Sequence, residues 1–244
     1  MGRLVILTGH TSGLGAALLD VFVGEPENTV VALGRRRSLR ADPNMRQLVV
    51  DLRSPADAAH AMSGALDVAD WSRITQVLLV NNAGVLPPIG PVGSLDAIDL
   101  AEAVNLNLAT PIVLTNELLR LTADLDIERR IAQVSSGAAR TPYAGWSTYC
   151  ATKAGLDHFT RSVALDAPLR CRVCSIAPGV VDTAMQAQIR ASNVNDFPEL
   201  ERFVEMNRDG MLASPDRTAR RLVEHLLSES FGDPSVVDLR DLAG

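Results

Sequence analysis

The sequence predicts an α/β fold, a parallel sheet with helices on both faces. Three observations predict it. Short runs of Val, Ile and Leu recur along the chain without polar alternation, as expected of strands buried on both faces. Longer stretches with helical spacing separate them, and strand–helix alternation with short loops is the signature of a doubly wound sheet. The first apolar run ends in TGHTSGLG, residues 8–15, a glycine-rich turn that opens the first helical stretch. Together these indicate a Rossmann-type sheet of about seven strands in one domain spanning 1–244.

In chain order the strands are expected at 4–9, 29–34, 47–52, 76–84, 130–136, 172–179 and 235–239. Helices are expected at 13–24, 55–70, 96–124, 147–167 and 215–229. Two stretches break the alternation: the Pro/Gly-rich loop VLPPIGPVGS at 85–94 and a long insertion at 182–212. Each follows a strand, so each lies where ligands bind in open α/β sheets. The insertion is expected to act as a substrate lid.

The formal net charge of −6 argues against a nucleic-acid partner or an anionic membrane surface. No apolar run approaches the ~20 residues of a membrane span. Met1-Gly2-Arg3 runs directly into a core strand, which leaves no room for a leader, and a cytoplasmic protein is expected. Cys150, Cys171 and Cys174 are too few and uneven for a disulfide framework. Cys171 and Cys174 form a CxxC by spelling, but they sit in a strand-like run without the second ligand pair zinc requires. No metal site is expected, and His10 and His158 read as structural or surface residues.

The glycine-rich turn carries the first chemistry. Gly9, Gly13 and Gly15 suit a tight turn beneath a pyrophosphate, whose charge the helix N-terminus would stabilise. An NAD site usually adds an acidic residue about twenty positions later to hold the ribose 2′-hydroxyl. Here Gly34-Arg35-Arg36-Arg37 stands instead. Guanidiniums can hold a 2′-phosphate by paired hydrogen bonds. Arg35 first and Arg36 second therefore favour NADP(H), although a solvated basic turn would read the same.

The stretch STYCATK, 147–153, places Tyr149 four residues before Lys153, on one face of a helix. An ammonium beside a phenol favours the phenolate, which would make the pair an acid/base device. An ordinary solvated helix could carry the same two residues.

Taken together and in order, these motifs resemble the short-chain dehydrogenase/reductase family across essentially the whole chain. The turn, with Thr11, Ser12 and Leu14 beside its glycines, resembles the family's cofactor loop, and Asp51-Leu52 its adenine-contacting pair. NNAG, with Asn82, Ala83 and Gly84, matches the motif after the fourth strand. Asn105, in VNLNL, stands where the family keeps a catalytic asparagine, with Asn107 the nearest alternative. Ser136 precedes Tyr149 by thirteen residues, the family's spacing, with Ser135 its nearest alternative. In APGVVDT, Pro178, Gly179, Val181 and Thr183 resemble the loop that clasps the nicotinamide. Stretches flanking Tyr149 and following 177 are similar to the benzil reductase and sepiapterin reductase subgroup.

The resemblance implies an NADP(H)-dependent carbonyl reductase, working as a homodimer or homotetramer. Tyr149 would be the general acid, Lys153 would hold the nicotinamide ribose and depress the phenol pKa, and Ser136 would hydrogen-bond the carbonyl oxygen. Asn105 would hold a relay water. Tyr143, Trp146 and Met185, with Met206 and Met211, would face an apolar small-molecule carbonyl substrate. A 3-oxoacyl-[acyl-carrier-protein] reductase shares the catalytic set and would need a basic docking patch, for which Arg129, Arg130, Arg170 and Arg172 are candidates. A non-enzymatic cofactor sensor on the same fold is the remaining alternative, disfavoured because both Tyr149 and Lys153 are present.

Overall fold

The structure, a computed structural model, describes residues 2–242. Its strands are β1 (Gly2–Thr8), β2 (Asn28–Gly34), β3 (Met45–Val49), β4 (Ile74–Asn81), β5 (Glu128–Val134), β6 (Cys171–Ala177) and β7 (Val236–Asp238). They form one sheet in the order β3-β2-β1-β4-β5-β6-β7, with every neighbouring pair parallel. Strand order reverses between β1 and β4, which puts the ligand crevice at their carboxyl ends.

The unbroken apolar runs are explained by two cores. Val5, Leu7, Val30 and Ala32 pack on one face against α1 (Gly13–Val23) and α8 (Pro215–Leu227). Their neighbours Leu4, Ile6, Val31 and Leu33 pack on the other against α2 (Pro55–Leu66) and α4 (Thr110–Leu121). Successive strand residues point to opposite faces, so two covered faces demand an apolar residue at every position. Ser54 and Ser214 cap α2 and α8, each followed by a proline in the first turn, a favoured start for a helix.

Every strand but β2 ends a residue or more before its expected run does. The hydrogen-bonded ladder stops where the chain turns into the site loops, and the TG, NAG, SS and PG residues beyond it belong to turns. The helix expected at 96–124 is α3 (Ala97–Val104), a π-turn (Asn105–Ala109) and α4 in one continuous run. By length and composition that run could cross a membrane, contrary to the expectation that none could. Here its Leu106, Leu114 and Leu118 are embedded in the domain core. The insertion contains two helices that the sequence did not announce, α6 (Ala184–Arg190) and α7 (Leu200–Arg208). The remaining long helix is α5 (Ser147–Asp166).

Candidate active site

At the crevice the loop after β1 is fastened to the loop after β4. Thr8 Oγ1 accepts from the backbone N–H of both Asn82 and Ala83, each at 2.9 Å. Asn82 Nδ2 donates to the carbonyls of Thr8 and Gly9 at 3.0 and 3.1 Å. This junction dictates two of the glycines. A Cβ on Gly15 would lie 2.0 Å from the Gly9 carbonyl oxygen, and one on Gly9, at φ +72°, would lie 2.8 Å from Ala83 Cα. Their requirement therefore comes from loop packing before any ligand enters. At the N-terminus of α1 the Ser12 side chain caps nothing, which leaves first-turn N–H groups directed into the crevice, as a phosphate requires. Thr183, from the loop after β6, closes to 3.1 Å of the Cβ position of Gly13.

Tyr149 and Lys153 are both buried on α5, with Lys153 Nζ 5.8 Å from the phenol ring centroid. Nζ donates to the Val134 carbonyl at 2.7 Å. Ser136 shares a hydrogen bond with Tyr149, and its Oγ accepts from the Ala138 N–H at 3.1 Å. Ser135 takes the opposite direction, donating to Asp157 Oδ1 at 2.6 Å beside an equal bond from Ser175. Burial pushes the Tyr149 phenol above its ordinary value, with the Ser136 bond opposing. Burial also brings Lys153 down to about 8, opposed by the Asp157 carboxylate. The expected lysine-driven depression of the phenol is not what the structure gives: desolvation raises it, and the opposing influence is Ser136, not Lys153.

The asparagine expectation is corrected by two residues. Asn105 is half-buried on the outer side of its helix. Asn107 is buried, accepts from the Val85 N–H at 2.8 Å and donates to the Val85 carbonyl at 2.7 Å. Its Oδ1 and Lys153 Nζ both approach the vacant Cβ position of Gly84, at 3.2 and 3.7 Å. A signal was available. Asn107 shares a helix face with Ala103, Thr110 and Leu114, all buried, whereas Asn105 shares one with exposed Ala101. The π-turn sits at this point, and such bulges recur at functional sites.

Above Tyr149 the insertion closes an aromatic roof. Trp146 stacks on Phe197 at 4.4 Å and 5°, meets the Tyr149 ring edge-on at 5.9 Å and lies 5.0 Å from Tyr143. Phe203 packs against Tyr143, Trp146 and Phe197. Met185, Leu86 and Ile189 complete the cluster. Both tyrosines, one of two tryptophans and two of five phenylalanines gather here, in a chain only 4% aromatic. The concentration of rings sets this cluster apart from the two cores that flank the sheet. Phe197 and Phe203 were missed by the sequence reading, while Met206 lies outside the cluster and Met211 is 63% exposed. The indole N–H of Trp146 is buried and has no acceptor among the described residues.

The remaining sequence candidates are also placed. Arg35 and Arg36 are exposed at the end of β2, and neither is in an ion pair among the described residues. The Asp51 carboxylate is engaged by Arg53, at 2.6 Å, whose hydrogen bond holds it below its ordinary value. Leu52 is buried, with its carbonyl accepting from Thr110. Pro178, Gly179, Val181 and Thr183 lie in the loop after β6, which pairs with Ala213 through Val181. Cys171 and Cys174 are free thiols in β6, pushed up to about 11 and about 12 by burial, which keeps both protonated and inert.

The short chain dehydrogenase family profile matches residues 3–194. The chain belongs to the short-chain dehydrogenase/reductase family. A benzil reductase ((S)-benzoin forming) of Bacillus subtilis is 35% identical over 98% of this chain and 99% of the relative. A sepiapterin reductase of Rattus norvegicus is 31% identical over 97% and 96%. Among solved structures, a short-chain dehydrogenase/reductase from Burkholderia vietnamiensis is 38% identical, with a TM-score of 0.68 over 99% and 98% of the two chains. Short-chain dehydrogenase/reductases are oxidoreductases that use a nicotinamide dinucleotide, and the uncapped first turn of α1, between the Gly13 and Asn82 loops, fits its pyrophosphate.

Proposed function

We propose that this protein is an NADPH-dependent reductase of apolar, aromatic ketones or diketones, of which benzil is the type. The observation that carries the substrate class is the roof: the side chains packed with Tyr149 are rings and aliphatic chains, with Ser136 beside the phenol and the unpaired Trp146 N–H within the cluster as polar exceptions. An apolar enclosure with a few convergent polar groups suits an aromatic ligand bearing two oxygens. The names of the benzil reductase and sepiapterin reductase relatives support the same reading. For the cofactor, the support is the absence of a carboxylate at the end of β2 and the presence of Arg35 and Arg36 there.

When bound, the nicotinamide supplies the hydride. Tyr149, kept protonated by burial, donates its proton to the carbonyl oxygen as negative charge develops there. Ser136 donates a hydrogen bond to the same oxygen. Lys153 stands four residues on, held to the Val134 carbonyl, where its charge favours the transient phenolate. Asn107, in place of Asn105, ties the Gly84–Val85 loop beside Lys153 and fixes the far end of this proton path. The α6–α7 insertion excludes water from the reacting atoms as a lid. Exposed Ile98, Val104 and Leu165 on the long helices suit a homodimer or homotetramer, and a cytoplasmic location completes the proposal.

The carrier-protein alternative loses its docking patch. Arg129 and Arg130 are buried, with their guanidiniums on backbone carbonyls. Arg170 and Arg172 lie at the start of β6, the end of the sheet opposite the crevice. NADPH oxidation should be followed at the nicotinamide absorbance with benzil, sepiapterin and an acetoacetyl thioester, each repeated with NADH. Benzil with NADPH is expected to be fastest. Preference for the thioester overturns the substrate reading, and equal use of NADH overturns the cofactor reading.

A further inference from the structure

A buried histidine joins the two loops that would hold the adenosine end of the cofactor. His10 lies in the loop after β1 and is 1% exposed. Its Nε2 is 2.9 Å from Gln47 Oε1, on β3. The same oxygen accepts from the Ser38 N–H at 2.7 Å, and Gln47 Nε2 donates back to the Ser38 carbonyl at 3.2 Å. The two bonds to Ser38 fix which end of the amide is oxygen, because a backbone N–H only donates and a carbonyl only accepts. Nε2 is then the donor in the His10–Gln47 bond, while Nδ1 lies 3.4 Å from the Leu33 carbonyl at the end of β2. The imidazole also lies over the chain at Gly34, 3.4 Å from where a Cβ would stand.

The arginine run is thereby pinned at both ends. Gly34 is held by the Val50 N–H at 3.1 Å and covered by His10, while Ser38 is held twice by Gln47. Only residues 35–37 span the interval, and all three are exposed arginines. An exposed arginine turn has no structural need of a buried clamp built from two other elements. We infer that His10 and Gln47 are positioning residues of a 2′-phosphate site, holding the backbone of Arg35 and Arg36 in its binding conformation before the ligand arrives. The inference rests on the NADP(H) reading above. Its physical basis is preorganisation: a loop ordered in advance forfeits less entropy on binding.

The test is calorimetric and needs no turnover. Wild type, Gln47→Leu and His10→Phe are titrated with adenosine 2′,5′-bisphosphate and with adenosine 5′-monophosphate. In both variants the bisphosphate should weaken about tenfold, the loss of one ordered side chain's worth of preorganisation, with the monophosphate changed by less than about twofold. A general loosening of the fold would weaken both probes together, and that result, or no change in either, overturns the clamp. His10→Phe keeps a ring over Gly34 should Gln47→Leu fold poorly. Arg35→Ala should cost less affinity in the Gln47→Leu background than in wild type, because a displaced guanidinium has less to lose. If the wild type binds the two probes equally, the NADP(H) reading falls and the clamp has no 2′-phosphate to serve. If it prefers the bisphosphate and the variants do too, only the clamp falls.

Discussion

The floor of the site and its roof are held by different forces. Beneath the cofactor loops, Thr8, Asn82, His10, Gln47 and Asn107 fasten backbone to backbone through short, directed hydrogen bonds. Over Tyr149, Trp146, Phe197, Phe203 and Tyr143 meet ring to ring. Hydrogen bonds have narrow geometry, and a buried donor or acceptor left unpaired is costly. Apolar contact is non-directional and tolerates repacking when volume is kept. A short-chain dehydrogenase/reductase built this way can alter its substrate by exchanging roof residues while its cofactor floor stays fixed. Tyr149 stands on the seam, its ring in the roof and its hydroxyl on Ser136.

The largest expected effect is at that seam. Tyr149→Phe keeps the ring in the roof and removes the proton donor, so kcat should fall about a thousandfold with adenosine bisphosphate binding unchanged. Unchanged turnover would remove Tyr149 from the chemistry. Next is Phe197→Ala, which leaves a cavity against Trp146 and should cost about 3–5 kcal/mol in urea unfolding. It should raise KM for benzil without altering cofactor affinity, and a parallel loss of both would show that floor and roof are one unit.

Lys153→Met tests the buried charge between them. The folded lysine titrates near 8, below its ordinary 10.5. Below pH 8 both folded and unfolded chains carry the proton, and the full cost of burying the charge is present. Between 8 and 10.5 the unfolded chain keeps the proton that the folded one has lost, so wild-type stability rises. The advantage of the variant should therefore shrink by on the order of 3 kcal/mol across that window, and a pH-independent difference would show that burial does not lower the Lys153 pKa. The smallest effect separates the two asparagines. Asn107→Ala should cost about 1–3 kcal/mol through the orphaned Val85 groups and slow turnover, while Asn105→Ala should stay within about 0.5 kcal/mol. The reverse order would restore the position the sequence suggested.

The roof was half legible. Tyr143, Trp146 and Met185 lie near Tyr149 along the chain and were anticipated. Phe197 and Phe203 arrive from some fifty residues away on an insertion that reads as irregular, and nothing local marks their partner. The glycines of the first turn were legible from the tight turn, which the positive φ of Gly9 and Gly13 bears out, but the packing of the β1 and β4 loops that also demands Gly9 and Gly15 is absent from either segment's own sequence.

What the sequence determined by itself is whatever depends on local spacing. Apolar runs at every position dictate strands covered on both faces, and a spacing of four from Tyr149 to Lys153 dictates one helix face, since both rules follow from the pitch of a single element. Tertiary structure alone decided the choice of Asn107, where a π-turn and the Val85 backbone select the buried amide. It also decided the pairing of His10 with Gln47 and the seating of Phe197 on Trp146. Each joins segments remote in sequence, and the energy that fixes it exists only once the sheet has brought them together.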